Sequence, residues 1–321
     1  RRQRQMCIRD REATVIIDLP STTVSKVARS LVNVREEGGA VALGRVLTLV
    51  IVTRPGQAEA AIDAANDASR EHPMRVIVVM TGDLDESPVL DAQIRVGGDA
   101  GASEVIVLTA RGPAGSNTES LITGLLLPDA PVVVWWPDDP PAVPSASQIG
   151  RIAQRRITDA STRPFTGTRL SALGTGHAPG DTDLAWTRLT RWREQLAAVL
   201  DQPPYEPVTA VEVVGAGSSP STGLLAAWLR LQLDVPVTWR YTAPEDWDHG
   251  IRSVRLSRES GDIVLERIDE INAVLTQPGQ PRHEIALPRR SLRECLAEEL
   301  RRLDPDPVSY THLTLPTILL V

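Results

Sequence analysis

The chain of 321 residues is poor in several residue types. Lys26 is its one lysine, so 33 of the 34 basic residues are arginine. Phe165 is its one phenylalanine, and only two cysteines occur, Cys7 and Cys295. Two cysteines exclude a disulfide-rich secreted scaffold. No apolar run approaches the roughly 20 residues that a membrane helix needs. There is no basic excess: the formal charge is −7, which argues against a nucleic-acid binder. No internal repeat and no low-complexity tract is present.

What is present describes an ordered α/β protein. Apolar residues make up 42% and charged residues 23%, the balance of a globular chain. The length suits two domains of ordinary size. Heavy use of Arg, Ala, Gly, Pro and Val points to a GC-rich genome.

Both ends break this composition. Met6 to Arg11 reads as a translated transposon end of the kind used in library preparation, and Val308 to Leu313 as its reverse complement. Residues 1–14 and 308–321 are therefore expected to be non-native read-through. Val15 then becomes a plausible start and Cys295 the one native cysteine. Residues 1–14 carry five arginines against Asp10 and Glu12, so without the two ends the charge is −10.

Hydrophobic periodicity predicts the elements. Val24, Val27, Ala28 and Leu31 share one face of a helix over 22–37, stopped by Gly38-Gly39. Apolar β-rich runs at 46–53, 75–80, 104–109 and 131–136 read as buried strands, and 92–96 alternates like a half-exposed one. Helices are expected at 57–70, 118–127 and near 147–154. This alternation predicts a first domain, 15–170, with a mostly parallel sheet flanked by helices. Clustered Pro and Gly over 164–182 place the boundary near 170.

The second domain, 171–307, is expected to open with a helix over 183–200. Its stripe is Ala185, Leu189, Trp192, Leu196 and Val199. A strand at 211–215, a buried helix at 222–233 and a strand at 235–241 follow. From Ile251 to Leu287 short strands joined by turns predict an antiparallel meander. Ser291 and Glu294 form a capping box for a last helix.

Candidate chemistry is sparse. The turn Gly215-Ala216-Gly217-Ser218-Ser219-Pro220-Ser221-Thr222-Gly223 follows a strand and opens a helix, where free N–H groups hold phosphates. Gly215, Gly217, Ser218, Ser221 and Thr222 are the residues that would do so. The Gly-Lys-Ser/Thr ending of a P-loop is absent, and Pro220 replaces the third glycine of a dinucleotide fingerprint. A plain capped β-α turn explains the same residues. Asp138-Asp139 follow a strand end and could bind a metal, but a solvated loop explains them equally well. His72, His177, His249 and His283 are scattered with no i, i+4 pair, so no zinc site is expected. No nucleophile elbow accompanies them. Cys295 reads as a structural thiol, and alone it cannot form an internal disulfide switch. Trp186, Trp192, Trp228 and Trp239 fit cores, whereas Trp135, Trp136 and Trp247 lie near loops, where Trp often anchors interfaces.

Five stretches together carry a resemblance: Arg35 to Leu49, Pro131 to Pro137, Pro179 to Arg188, Ser221 to Leu229 and Cys295 to Pro305. The chain resembles the OpcA family of glucose-6-phosphate dehydrogenase assembly proteins in its actinobacterial form. The resemblance implies a non-enzymatic, cytoplasmic partner of that NADP-dependent dehydrogenase, promoting its oligomerisation or activity in the oxidative pentose phosphate pathway. It implies no catalytic residue, no metal and no cofactor. Thioredoxin-linked control, associated with cyanobacterial relatives, is not expected with Cys295 alone. Trp135, Trp136, Asp138, Asp181, Asp183 and Arg188 are the residues expected at the partner surface. The alternative is a sugar-phosphate- or nucleotide-binding enzyme built on the Gly215–Gly223 turn.

Overall fold

The computed structural model describes residues 15–37, 46–97, 104–162, 176–247 and 250–304. Both expected read-through ends, the Gly38-Gly39 helix stop, the boundary expected near residue 170 and His249 lie outside the described residues. The protein is a mixed α/β protein with sheets of eight and six strands. The chain divides into two compact units, residues 1–133 and 134–321.

In the first unit, β2 (Leu47–Thr53), β3 (Met74–Thr81) and β5 (Glu104–Arg111) run parallel in the order β5-β3-β2. Their Val, Ile and Leu side chains are buried almost without interruption, as expected of strands covered on both faces. β4 (Val89–Val96) pairs antiparallel with β5, and β1 (Val15–Leu19) pairs antiparallel with β4. Burial alternates along β4, so one of its faces is partly exposed. β1 is an addition to the sequence reading. Its short run has exposed Val15 and Ile16 and exists through pairing rather than burial. The helices α1 (Val24–Glu37), α2 (Ala58–Ser69) and α3 (Thr118–Thr123) fall where periodicity put them. Alanines 58, 61, 64, 65 and 68 of α2 are buried, and small side chains permit close approach of backbones. β6 (Val132–Trp136) is buried throughout, and the division between the units falls inside it.

In the second unit, residues 147–154 do not form the expected α-helix. Two single 3-10 turns, Pro144–Ala146 and Gly150–Ile152, stand there. Pro144 and Gly150 favour such short turns over a continuing helix. β7 (Arg155–Thr158) and β8 (Asp181–Asp183) form a parallel pair that the sequence reading did not foresee. The helix expected over 183–200 is two, α4 (Leu184–Thr187) and α5 (Thr190–Leu200). All five stripe residues are nevertheless buried.

β9 (Ala210–Ala216) leads into α6 (Ser221–Leu233), then β10 (Val237–Thr242), parallel to β9. β11 (Ile251–Ser257), β12 (Ile263–Arg267), β13 (Asn272–Thr276) and β14 (His283–Ala286) form the expected antiparallel meander. β11 also pairs with β9, giving the order β10-β9-β11-β12-β13-β14. The first turns of α6 are fully buried, while Leu231 near its end is exposed. Trp186, Trp192, Leu224, Leu225 and the inner faces of β9, β11 and β12 share one hydrophobic core. α7 (Leu292–Arg301) closes the chain behind the expected Ser291–Glu294 capping box.

Candidate functional site

Asp181 and Asp183 lie inside the second unit rather than on a display surface, and Arg188 is half-buried. Asp181 is buried and accepts a short charge-assisted bond from Arg156 Nε, across the β7–β8 pair. Its other oxygen accepts from the Ala178 amide at 2.8 Å. Asp183 caps α4: Oδ1 accepts from the Ala185 amide at 2.8 Å. Oδ2 accepts from Thr158 Oγ1 at 2.6 Å and from the Ala160 amide at 3.0 Å. Burial, followed by the nearby Asp159 charge, raises the Asp183 pKa above the ordinary aspartate value despite these bonds. Arg188 reaches Asp159 with two bonds of 2.7 Å. Burial pulls the Arg188 pKa down, but the hydrogen bonds and charge of Asp159 outweigh it and the net shift is upward. The same pattern continues to α7. Glu299 accepts from Arg155 Nη2 and Thr187 Oγ1, and Arg290 Nη1 donates to Glu298 and, at 2.9 Å, to Thr187 O. The acids here are matched by arginine, hydroxyl and amide donors, while Arg155 Nε is buried without a partner.

Trp135 and Trp136 end β6 with 0% and 4% of their surface exposed. The sequence placed them near a loop available for contact. The structure corrects that: the strand runs through both residues, and the loop begins at Pro137. Asp138 is half-buried, and its Oδ1 has no hydrogen-bond partner. Cys295 is fully buried, and burial pushes its thiol up to about 11.

The Gly215–Gly223 turn is held by packing. A Cβ on Gly215 would lie 2.4 Å from Thr222 Oγ1 and 2.6 Å from Gly250 O. Thr222 is buried, with Oγ1 directed to Ala216 O at 3.4 Å. A Cβ on Gly217 would meet Tyr241 at 3.5 Å, an ordinary contact distance, and Ser218 is exposed. Of the turn, Ser219 and Ser221 line a cavity of about 300 Å3. Arg188, Arg191, Arg267, Arg289 and Arg290 line it too, with no acidic residue among the lining side chains. Sequence reading missed this cluster. Arg289-Arg290 stand together before α7, and Arg188 and Arg191 lie three apart, but nothing in the sequence brings Arg267 to them.

Arg267, the last residue of β12, is only 5% exposed. Its guanidinium carbon lies 5.5 Å from the centre of the Trp192 ring, and Nε has no hydrogen-bond partner. Burial lowers its pKa first; the Asp269 charge opposes this and the Arg191 charge adds to it. Among the described residues, no group of three or more His, Cys, Asp or Glu is placed to hold a metal ion. None of their helices is long and apolar enough to cross a membrane.

Two family models match the chain. The glucose-6-phosphate dehydrogenase subunit N-terminal domain matches residues 65–174, and the C-terminal domain of the same subunit matches 179–312. The chain belongs to the OpcA family of glucose-6-phosphate dehydrogenase assembly proteins. The OpcA match thus spans most of the sequence, including both tryptophans of β6 and the whole arginine cluster. A search of curated proteins found no match.

Solved structures resemble the chain at low identity. The 3-ketoreductase KijD10 from Actinomadura kijaniata, complexed with TDP-benzene and NADP, is 11% identical with a TM-score of 0.47, over 85% of this chain and 96% of its own. An oxidoreductase from Sinorhizobium meliloti is 11% identical with a TM-score of 0.47, over 85% and 95%. Biliverdin reductase from Synechocystis sp. PCC 6803 is 12% identical with a TM-score of 0.44, over 84% and 97%. At these values the likenesses assign no activity to this chain.

Proposed function

We propose that this protein is a non-enzymatic, cytoplasmic assembly factor that binds glucose-6-phosphate dehydrogenase and promotes its oligomerisation or activity. In this role it would serve the oxidative pentose phosphate pathway. The observation that carries the reading is the pair of family matches, to both domains of a subunit named for that dehydrogenase. An activator of this kind must bind the active state of its partner more tightly than the inactive state. A tenfold shift requires about 1.4 kcal/mol of differential binding, which a small part of an interface supplies.

The burial of Trp135, Trp136, Asp181 and Asp183 gives these residues a supporting part in that role. In this reading they hold Pro137-Asp138-Asp139 and Pro179 in place, and those half-buried and exposed loop residues meet the partner. Co-expression with the dehydrogenase of the same genome, purification through a tag on this chain, and an assay of NADP reduction test the proposal. Stable co-purification with a faster rate or a larger enzyme oligomer is expected. Absence of association, together with an unchanged rate and oligomer, rejects it.

A further inference from the structure

We propose that the arginine-lined cavity of the second unit binds the phosphate group of a small phosphate monoester. This goes beyond the assembly reading and does not depend on it.

Three observations on different elements converge. The first is the charge balance of the wall. Arg188 is matched by Asp159, Arg191 by Glu294 and Arg290 by Glu298, but those carboxylates do not line the cavity. The Arg267 guanidinium has no ion pair or hydrogen bond among the described residues. The second is the setting of that side chain: the residue is 5% exposed, its buried Nε has no acceptor, and its guanidinium carbon lies 5.5 Å from the centre of the Trp192 ring. A buried cation without an acceptor is costly, and an anion in the cavity supplies the missing acceptor. Arginine suits this task because its planar fork matches two phosphate oxygens at once.

The third is the start of α6, a helix of 13 residues. Its N-cap is Pro220, which has no side-chain oxygen, so Ser219 Oγ serves the first turn as side-chain acceptor, taking the Ser221 amide at 3.3 Å. Ser219 and Ser221 of that turn face the same cavity as Arg267. Hydroxyl donors beside a helix N-terminus favour an anion. A volume of about 300 Å3 sits at the lower end for ligand pockets. It fits a phosphate carried on a body the size of one sugar and is too small for a dinucleotide.

The test is titration calorimetry of the full chain, with no dehydrogenase present, so a failure here leaves the assembly reading standing. The probes are glucose 6-phosphate and glycerol 3-phosphate, with glucose and sodium chloride at equal ionic strength as controls. Saturable binding of the monoesters and none of glucose is expected. Arg267→Gln is expected to weaken binding at least tenfold while the ligand-free unfolding temperature holds or rises, because an unpaired buried charge has been removed. Arg267→Lys is expected to retain part of the affinity. Ser219→Glu, at a half-buried turn position, places a carboxylate at the cavity and is expected to weaken binding at least tenfold with the fold intact. Monoesters that bind no better than the controls overturn the proposal. So does unaltered affinity in Ser219→Glu, or in a folded Arg267→Gln protein.

Discussion

Arg188 and Asp159 are joined by two parallel hydrogen bonds of 2.7 Å, Nη1 to Oδ1 and Nη2 to Oδ2, with Asp159 only 2% exposed. Removing the arginine leaves a buried carboxylate beside a second one, Asp183. Breaking a buried pair from one side costs about 3–5 kcal/mol. With the Arg188 side chain 25% exposed, Arg188→Ala is therefore expected to lower the unfolding free energy by an amount toward the lower end of that range, read as a lower urea midpoint at an unchanged slope. Arg188→Lys is expected to recover only part of it, since an ammonium cannot reproduce the fork. A binding defect in Arg188→Ala is then first a stability defect, and the urea midpoint separates the two.

Asp183 gives stability an unusual pH dependence. Its folded pKa is raised above the ordinary 3.8, by burial first and Asp159 second. The unfolded chain then loses this proton at lower pH than the folded protein does. The contribution is fully present below about pH 4 and is lost as pH rises through the folded pKa. In Asp183→Asn the amide oxygen can still cap Ala185, and the Thr158 hydroxyl can turn to accept from the new NH2. The stability advantage of the parent over Asp183→Asn is expected to shrink as pH is raised from about 4 to 7. Paired urea titrations across that range check it; a gap that widens with pH contradicts the assignment.

Cys295 is expected to be inert in the folded protein. It is fully buried, and its thiol is pushed up to about 11, so almost no thiolate exists at neutral pH. In a Cys7→Ser background, Ellman's reagent should release no colour at pH 7.5 until denaturant is added, and then one equivalent. Rapid labelling of the native protein would show that α7 opens readily.

Gly215 and Gly217 are expected to separate cleanly. Gly215→Ala drives a Cβ to within 2.6 Å of the Gly250 carbonyl oxygen, and such overpacking costs about 1–3 kcal/mol. Gly217→Ala meets only the Tyr241 side chain at 3.5 Å and is expected to change stability by less than about 0.5 kcal/mol. Thermal unfolding of both variants settles whether the turn is shaped by packing.

Local pattern accounts for what was readable in advance. Continuous Val/Ile runs set β2, β3 and β5, and alternation set β4. Spacing set the buried stripe of α5, and Ser291 with Glu294 set the start of α7. Each signal is written within one segment, because helix and strand periods project side chains onto a single face. The break between α4 and α5 was not readable: the hydrophobic stripe continues across it, and Asp183 reveals itself as a cap only once its amide partner is in place. β7 and β8 were missed because their burial is polar. Arg155, Arg156, Asp181 and Asp183 look like surface residues until partners from distant segments neutralise them.

The sequence by itself determined the α/β class, the meander and the family, all of which follow from composition, periodicity or extended motif. The tertiary structure alone decided which residues are inside. It buried the two β6 tryptophans that had looked like contact residues. It turned Asp181, Asp183 and Arg188 into internal partners, and it gathered five arginines from the end of α4, α5, β12 and the segment before α7 around one cavity. Charge pairing is a property of distance in space. Residues 159 and 188, or 191 and 294, acquire it only when the chain has folded.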